Sequence, residues 1–159
     1  MKNSNNNEAT EPEIMEVAEF PVSFSIFSLA RSHHRVAGQL LREAGLYPGQ
    51  ELVLMQLWQQ DSQPQSSLTR ALRLDHSTIA KSVRRLEDAG LVACSRSEED
   101  KRVTLVSLTQ AGRDMESGVT QAWSRMEEMT IENLNEEEKV QFVALAKKNR
   151  RCAGRLNGI

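Results

Sequence analysis

The chain has 159 residues, of which 39% are hydrophobic, 26% charged and only 4% aromatic, with a formal charge of −2. That length suits one domain whose modest core is built mainly from aliphatic and methionine side chains. No apolar run approaches the roughly 20 residues of a bilayer span, and the Asn-rich start from Met1 to Thr10 lacks the hydrophobic stretch of a secretory signal, so the cytoplasm is the expected location.

Residues 1–12 are expected to form a disordered tail, followed by a single domain over residues 13–159. Phe20, Phe24, Phe27, His34 and Leu41 recur at spacings of three, four or seven, which predicts one stripe of a long helix over about residues 20–45. Gly45, Pro48 and Gly49 mark its end. A short helix from Glu51 to Gln60 follows, and Asp61-Ser62-Gln63-Pro64 breaks it. Gln65 to Leu72 reads as one more brief helix. The segment from His76 to Ala89 reads as a further helix, with Asp75 as its N-cap and Gly90 as the left-handed residue that ends it.

Leu91–Ser95 and Arg102–Leu108, the second rich in β-branched and apolar residues, predict a β-hairpin whose tip, Arg96 to Lys101, is charged. A helix from near Thr109 to about Glu132 carries Met115, Val119, Ala122, Met126 and Met129 on one side. The last helix starts at Asn135, where Asn135 and Glu138 form a capping box, and runs to about Arg155 with Val140, Val143, Leu145 and Ala146 as a face to bury. The fold class is therefore mainly α with a small β-hairpin.

The charge is unevenly spread. Glu8, Glu11, Glu13, Glu16 and Glu19 have no base among them, whereas Arg70, Arg73, Lys81, Arg84 and Arg85 face Asp75 alone between residues 66 and 85. A basic stripe on an acidic body suits contact with nucleic acid. At about 100° per residue, Ile79, Val83 and Leu86 fall within about 60° of one another and form a narrow apolar seam. Ser77, Lys81 and Arg84 then project from the other side, with Thr78 and Arg85 on a flank. Short hydroxyls near the N-terminus and long cations one or two turns later are what a helix in the major groove needs. With the short helix before it the segment makes a helix-turn-helix. The hairpin that follows directly gives the element order of a winged helix, with Arg96, Lys101 and Arg102 at its tip.

Three linked segments, GLYPGQELVLMQLW (45–58), LDHSTIAKSVRRLEDAGLV (74–92) and DKRVTLVSLTQAGR (100–113), closely resemble the MarR family of winged helix-turn-helix transcription regulators. The likeness covers about residues 20–155 and includes the wing signature, an Asp and an Arg separated by one residue, here Asp100 and Arg102. It implies a winged-helix lobe over about 50–108 and dimerisation helices over about 20–45 and 109–156. It implies a homodimer that binds double-stranded DNA at an imperfect palindrome, two recognition helices lying about one turn apart. Arg102 would enter the minor groove, held by Asp100. His76, Ser77, Thr78, Lys81, Arg84 and Arg85 would serve the major groove and its phosphates, with Arg96 and Lys101 assisting from the wing. Ser66 and Ser67 would touch phosphate, although the family often has an acidic residue and Leu in that helix where this chain reads Gln65-Ser66-Ser67-Leu68.

The resemblance further implies a repressor released by a small phenolic or aromatic carboxylate effector bound between the dimerisation helices and the DNA-binding lobe. Candidate ligand residues are Arg31, His33, His34 and Trp58. A redox-responsive regulator and a winged-helix module that binds proteins are the alternatives. Oxidant-sensing relatives place their thiol near the start of the first long helix, where this chain has none. Cys94 falls in the first wing strand, and with Cys152 it forms neither a CxxC pair nor a zinc spacing. Trp58, Trp123 and the methionines read as packing residues. The sequence carries no Gly-rich phosphate loop, nucleophile elbow or HExxH, so no catalytic, cofactor or metal residue is assigned.

Overall fold

The computed structural model describes residues 19–153, with side chains over 19–149. The tail expected over 1–12 and the side chain of Cys152 lie outside the described residues. Seven helices and three strands occur among the described residues: α1 (Pro21–Glu43), α2 (Gln50–Gln59), β1 (Gln63–Pro64), α3 (Gln65–Leu72), α4 (His76–Asp88), β2 (Val92–Arg96), β3 (Thr104–Leu108), α5 (Gln110–Asp114), α6 (Glu116–Ile131) and α7 (Glu136–Ala153).

Local chemistry sets the helix ends. Pro21 opens α1 at its first turn, where a missing N–H costs nothing. The Asp75 carboxylate accepts the Thr78 N–H at 2.8 Å and starts α4. Gly90, at φ +72°, ends it, and the Leu91 N–H returns to the Leu86 carbonyl at 2.9 Å. Asn135 and Glu138 form the expected reciprocal pair at the start of α7, at 2.9 and 3.0 Å.

One core joins α2, α3 and α4 to the sheet. Val53, Leu54, Leu57, Leu68, Ile79, Leu86 and Val106 are wholly buried in it, and Val83 and Val92 nearly so. Ile79, Val83 and Leu86 are the predicted seam of α4. The sheet differs from the expected hairpin. It has three antiparallel strands in the order β1-β3-β2, with Gln63 opposite Val106 and Val92 opposite Leu108. The segment read as a breaker thus becomes an edge strand, and Pro64 suits an edge because it has no N–H to donate.

The expected single helix from Thr109 is also divided, into α5 and α6, with Met115 as the junction. Thr109 caps α5 by accepting the Gly112 N–H at 3.1 Å. Val119, Ala122 and Met126 of α6 are buried, while Met129 is exposed. Alongside α6 runs α1, tied by an ion pair between Arg125 and Glu43 at 3.0 Å. Of the stripe predicted on α1, Leu41 at its C-terminal end is buried, whereas Phe20 and Phe27 stay 61% and 57% exposed. On α7, Val140, Phe142, Val143 and Leu145 are exposed too.

Candidate nucleic-acid interface

The solvent face of α4 carries His76, Ser77, Thr78, Lys81, Arg84 and Arg85, all exposed. These residues were expected there, and the structure refines their chemistry. Both the Ser77 and Thr78 hydroxyls donate to the Asp75 carboxylate. Their protons are occupied, so toward a ligand they offer acceptor lone pairs rather than donors. Those two hydroxyls, first Ser77 and then Thr78, hold the Asp75 carboxyl well below the usual carboxylate range. Arg85 lies over the Tyr47 ring, 6.0 Å from its centroid, on the flank of the face. Lys81 and Arg84 project further along the same face.

At the hairpin tip the Arg102 backbone N–H donates to Asp100 at 2.9 Å, and its side-chain Nε reaches the same carboxylate at 3.2 Å. These two bonds hold the Asp100 carboxyl below its ordinary pKa. The Arg102 side chain nevertheless remains 92% exposed, so the acid orients the guanidinium without covering it. Arg96 donates to the Thr104 hydroxyl at 3.1 Å and to the Arg102 carbonyl, and so stiffens the arm beneath the tip. Lys101 is exposed beside it. Ser66, exposed, and Ser67, half-buried, lie in the first turn of α3.

Four residues that sequence reasoning missed join these parts. Asp61 accepts the Leu108 N–H at 2.8 Å and pairs with Arg113 at 2.6 Å, which ties the end of α2 to β3 and α5. Partial burial pushes its carboxyl up, but the hydrogen bonds from Leu108, Ser62 and Arg113 outweigh this and hold it low. Glu87, on the last turn of α4, accepts the Cys94 N–H at 3.1 Å and so ties the end of the helix to the first wing strand. Gly112 packs so tightly that an added Cβ would stand 2.0 Å from the Leu91 carbonyl oxygen. A Gly inside the short helix that follows a β-branched strand was the only legible signal of that approach. The Asp–Arg pairing spans 52 positions and has no local sequence signature.

The residues proposed for an effector do not converge. His33 and His34 line an apolar cavity of about 630 Å³ between α1, α6 and α7, together with Ile26, Leu29 and Phe142. Trp58 lines a separate cleft between α2 and α6, and its indole N–H is bound to the Gly112 carbonyl at 3.1 Å. Arg31 lines neither. The Cys94 thiol is pushed up to about 11 by burial and by the neighbouring Glu87 carboxylate. Among the described residues no helix is long and apolar enough to cross a membrane.

Residues 46–104 match the sequence profile of the MarR family. The organic hydroperoxide resistance transcriptional regulator of Bacillus subtilis is 31% identical over 94 residues, which cover 59% of this chain and 64% of that protein. The chain thus spans between about half and just under two thirds of the curated relatives it matches. BpsR of Bordetella bronchiseptica, whose DNA binding is regulated by 6-hydroxynicotinic acid, shares 26% identity at a TM-score of 0.74, covering 81% of this chain and 98% of BpsR. AbfR, solved in an overoxidized form bound to DNA, shares 27% identity at a TM-score of 0.68, covering 85% and 94%. Profile, relatives and architecture agree with the helix-turn-helix and wing described above: over residues 46–104 the chain matches the MarR family, and its fold is that of the winged helix-turn-helix MarR regulators.

Proposed function

We propose that this chain is a homodimeric, sequence-specific repressor in the cytoplasm that reads an imperfect palindrome and is released by a small molecule. The observation that carries the reading is the pairing of a cationic outer face on α4 with an exposed guanidinium that Asp100 aims from the wing tip. Lys81 and Arg84 serve guanine edges and phosphates in the major groove. Ser77 and Thr78, acting as acceptors, read base amino groups. Arg102 enters the neighbouring minor groove, whose electronegative floor favours a guanidinium over a hydrated ammonium. The wing tip acids Glu98 and Glu99 stay on the solvent side, and Ser66 and Ser67 contact phosphate from the first turn of α3.

Dimerisation is supported by the exposed apolar side chains of α1 and α7, among them Ile26, Phe27, Leu29, Phe142 and Leu145. A dimer that seats two winged-helix lobes on promoter DNA represses most simply, by occupying it. Release by a small molecule is supported by the regulation of BpsR by 6-hydroxynicotinic acid and by the two clefts against α6. The redox alternative gains no support from Cys94, because a thiol held at about 11 is almost wholly protonated at neutral pH and reacts slowly. The protein-binding alternative lacks exposed aromatics on α4.

Selection of sites from a random duplex pool tests the proposal. It should enrich a palindrome whose affinity falls with Lys81→Ala and Arg102→Ala. Failure to enrich any sequence, with both variants binding DNA like the wild type, would refute it.

A further inference from the structure

We infer that the cleft between α2 and α6 is a binding site for a planar aromatic cation, and that this chain's effector is of that class rather than an aromatic carboxylate. The cleft encloses about 630 Å³, within the range that receives drug-sized molecules. Met55, Trp58, Val119 and Trp123 give it an apolar wall with two indoles. Three carboxylates, Glu116, Glu127 and Glu128, line it as well, and no lysine or arginine does.

These features select charge and shape together. An aromatic anion entering the cleft would meet like charge along the α6 wall and find no guanidinium or ammonium to offset its desolvation. A delocalised cation would gain from the carboxylates and from the negative faces of the two indoles. The indole Nε1 of Trp58 is already committed to the Gly112 carbonyl, so Trp58 offers only its face. The Nε1–H of Trp123 is buried with no acceptor among the described residues. That donor is out of solvent's reach, so Trp123 too offers a ligand only its ring.

The position of the cleft links occupancy to DNA binding, a consequence that rests on the function proposed above. One wall is α2, which packs directly on α4, and the other is α6, which runs with α1. The hydrogen bond from Trp58 to Gly112 joins α2 to the root of the wing. A rigid ligand between α2 and α6 therefore changes the angle between the DNA-reading elements and the long helices.

Isothermal titration of the full chain without DNA tests the site, with the planar aromatic cation berberine and the similarly sized aromatic anion 1-anilinonaphthalene-8-sulfonate as probes. Berberine should bind once per subunit and at least about tenfold more tightly than the anion. The exposed-surface variant E116Q/E127Q/E128Q should weaken berberine about tenfold and leave the melting curve unchanged. Trp123→Phe, which shrinks the aromatic wall, should weaken it by a smaller factor. Equal or tighter binding of the anion, or an unchanged berberine affinity in the triple variant, would overturn the inference. A second titration against operator DNA separates the two claims. Berberine that binds the free protein and leaves operator affinity unchanged would keep the site and refute release through it.

Discussion

Gly112→Ala adds one methyl group at the root of the wing, and the structure fixes where it must go. The new Cβ would lie 2.0 Å from the Leu91 carbonyl oxygen and 3.2 Å from Leu108 Cδ2, when real Cβ contacts essentially never fall under 3.0 Å. The clash is with backbone, not with the free end of a side chain. Moreover, the Leu91 oxygen is the acceptor of the Thr109 N–H at 3.1 Å, so moving it strains the turn that caps α5. Overpacking of this kind costs about 1–3 kcal/mol, and a weakened hydrogen bond adds about 1 kcal/mol. The helix preference of Ala over Gly returns up to about 1 kcal/mol. With a backbone clash at the upper end, the net loss should be about 3 kcal/mol, or about 6–12 °C in Tm for a chain of this size.

Gly118→Ala is the matched control, because its Cβ would meet nothing within 4 Å and it sits inside α6. That variant should gain about 0.5–1 kcal/mol. Thermal and urea melts followed by circular dichroism measure both. A Gly112→Ala protein as stable as the wild type, or two variants that shift alike, would refute the packing assigned to the wing root.

Other outcomes follow from the same structure. Arg102→Ala should lower operator affinity about tenfold and reduce the salt slope by about 1, measured by fluorescence anisotropy. Asp100→Asn, which frees the guanidinium, should lower affinity by a smaller factor in the same assay. Glu51 is buried in the first turn of α2, and burial raises its carboxyl above the ordinary glutamate range despite the Gly49 N–H it accepts at 2.7 Å. A raised carboxylate pKa means the ionised form destabilises the fold, so the penalty is absent below the unfolded value of about 4.3 and grows as pH rises through the folded value. Glu51→Gln should therefore raise Tm by a few degrees at pH 8 and leave it unchanged near pH 4, whereas a gain that is greater in acid would contradict the sign. Cys94 should react with iodoacetamide very slowly at pH 7.5, its rate rising until about pH 11, and Cys94→Ser should bind operator like the wild type. Fast alkylation at neutral pH would show that its surroundings have been misjudged.

The features legible in the sequence were those written by neighbours. The α4 seam of Ile79, Val83 and Leu86, its Asp75 cap and its Gly90 stop depend on spacings within one helix, and the structure holds all of them. So does the Asn135–Glu138 box. Long-range partnerships were not legible. β1 is only two residues long and exists because Gln63 pairs with Val106, more than forty positions away. Asp61 looked like a helix breaker because its partners, Leu108 and Arg113, are equally remote. The split at Met115 likewise escaped a pattern in which methionine continues a helix well. At the candidate site, residue types placed Ser77, Thr78, Lys81 and Arg84 on one face of α4, and they lie exposed there. Residue types could not report that Ser77 and Thr78 spend their protons on Asp75, or that Trp58 and the histidines line different cavities.

The most direct test of the central claim is operator affinity measured by anisotropy from low to high salt, on the selected palindrome and on one whose half-sites are moved apart by half a helical turn. A dimer that lays two α4 helices in successive major grooves predicts a steep linear fall of log affinity with log salt. It also predicts loss of specific binding on the lengthened site, because the two helices can no longer reach their grooves together. Affinity that ignores both salt and spacing would contradict the account.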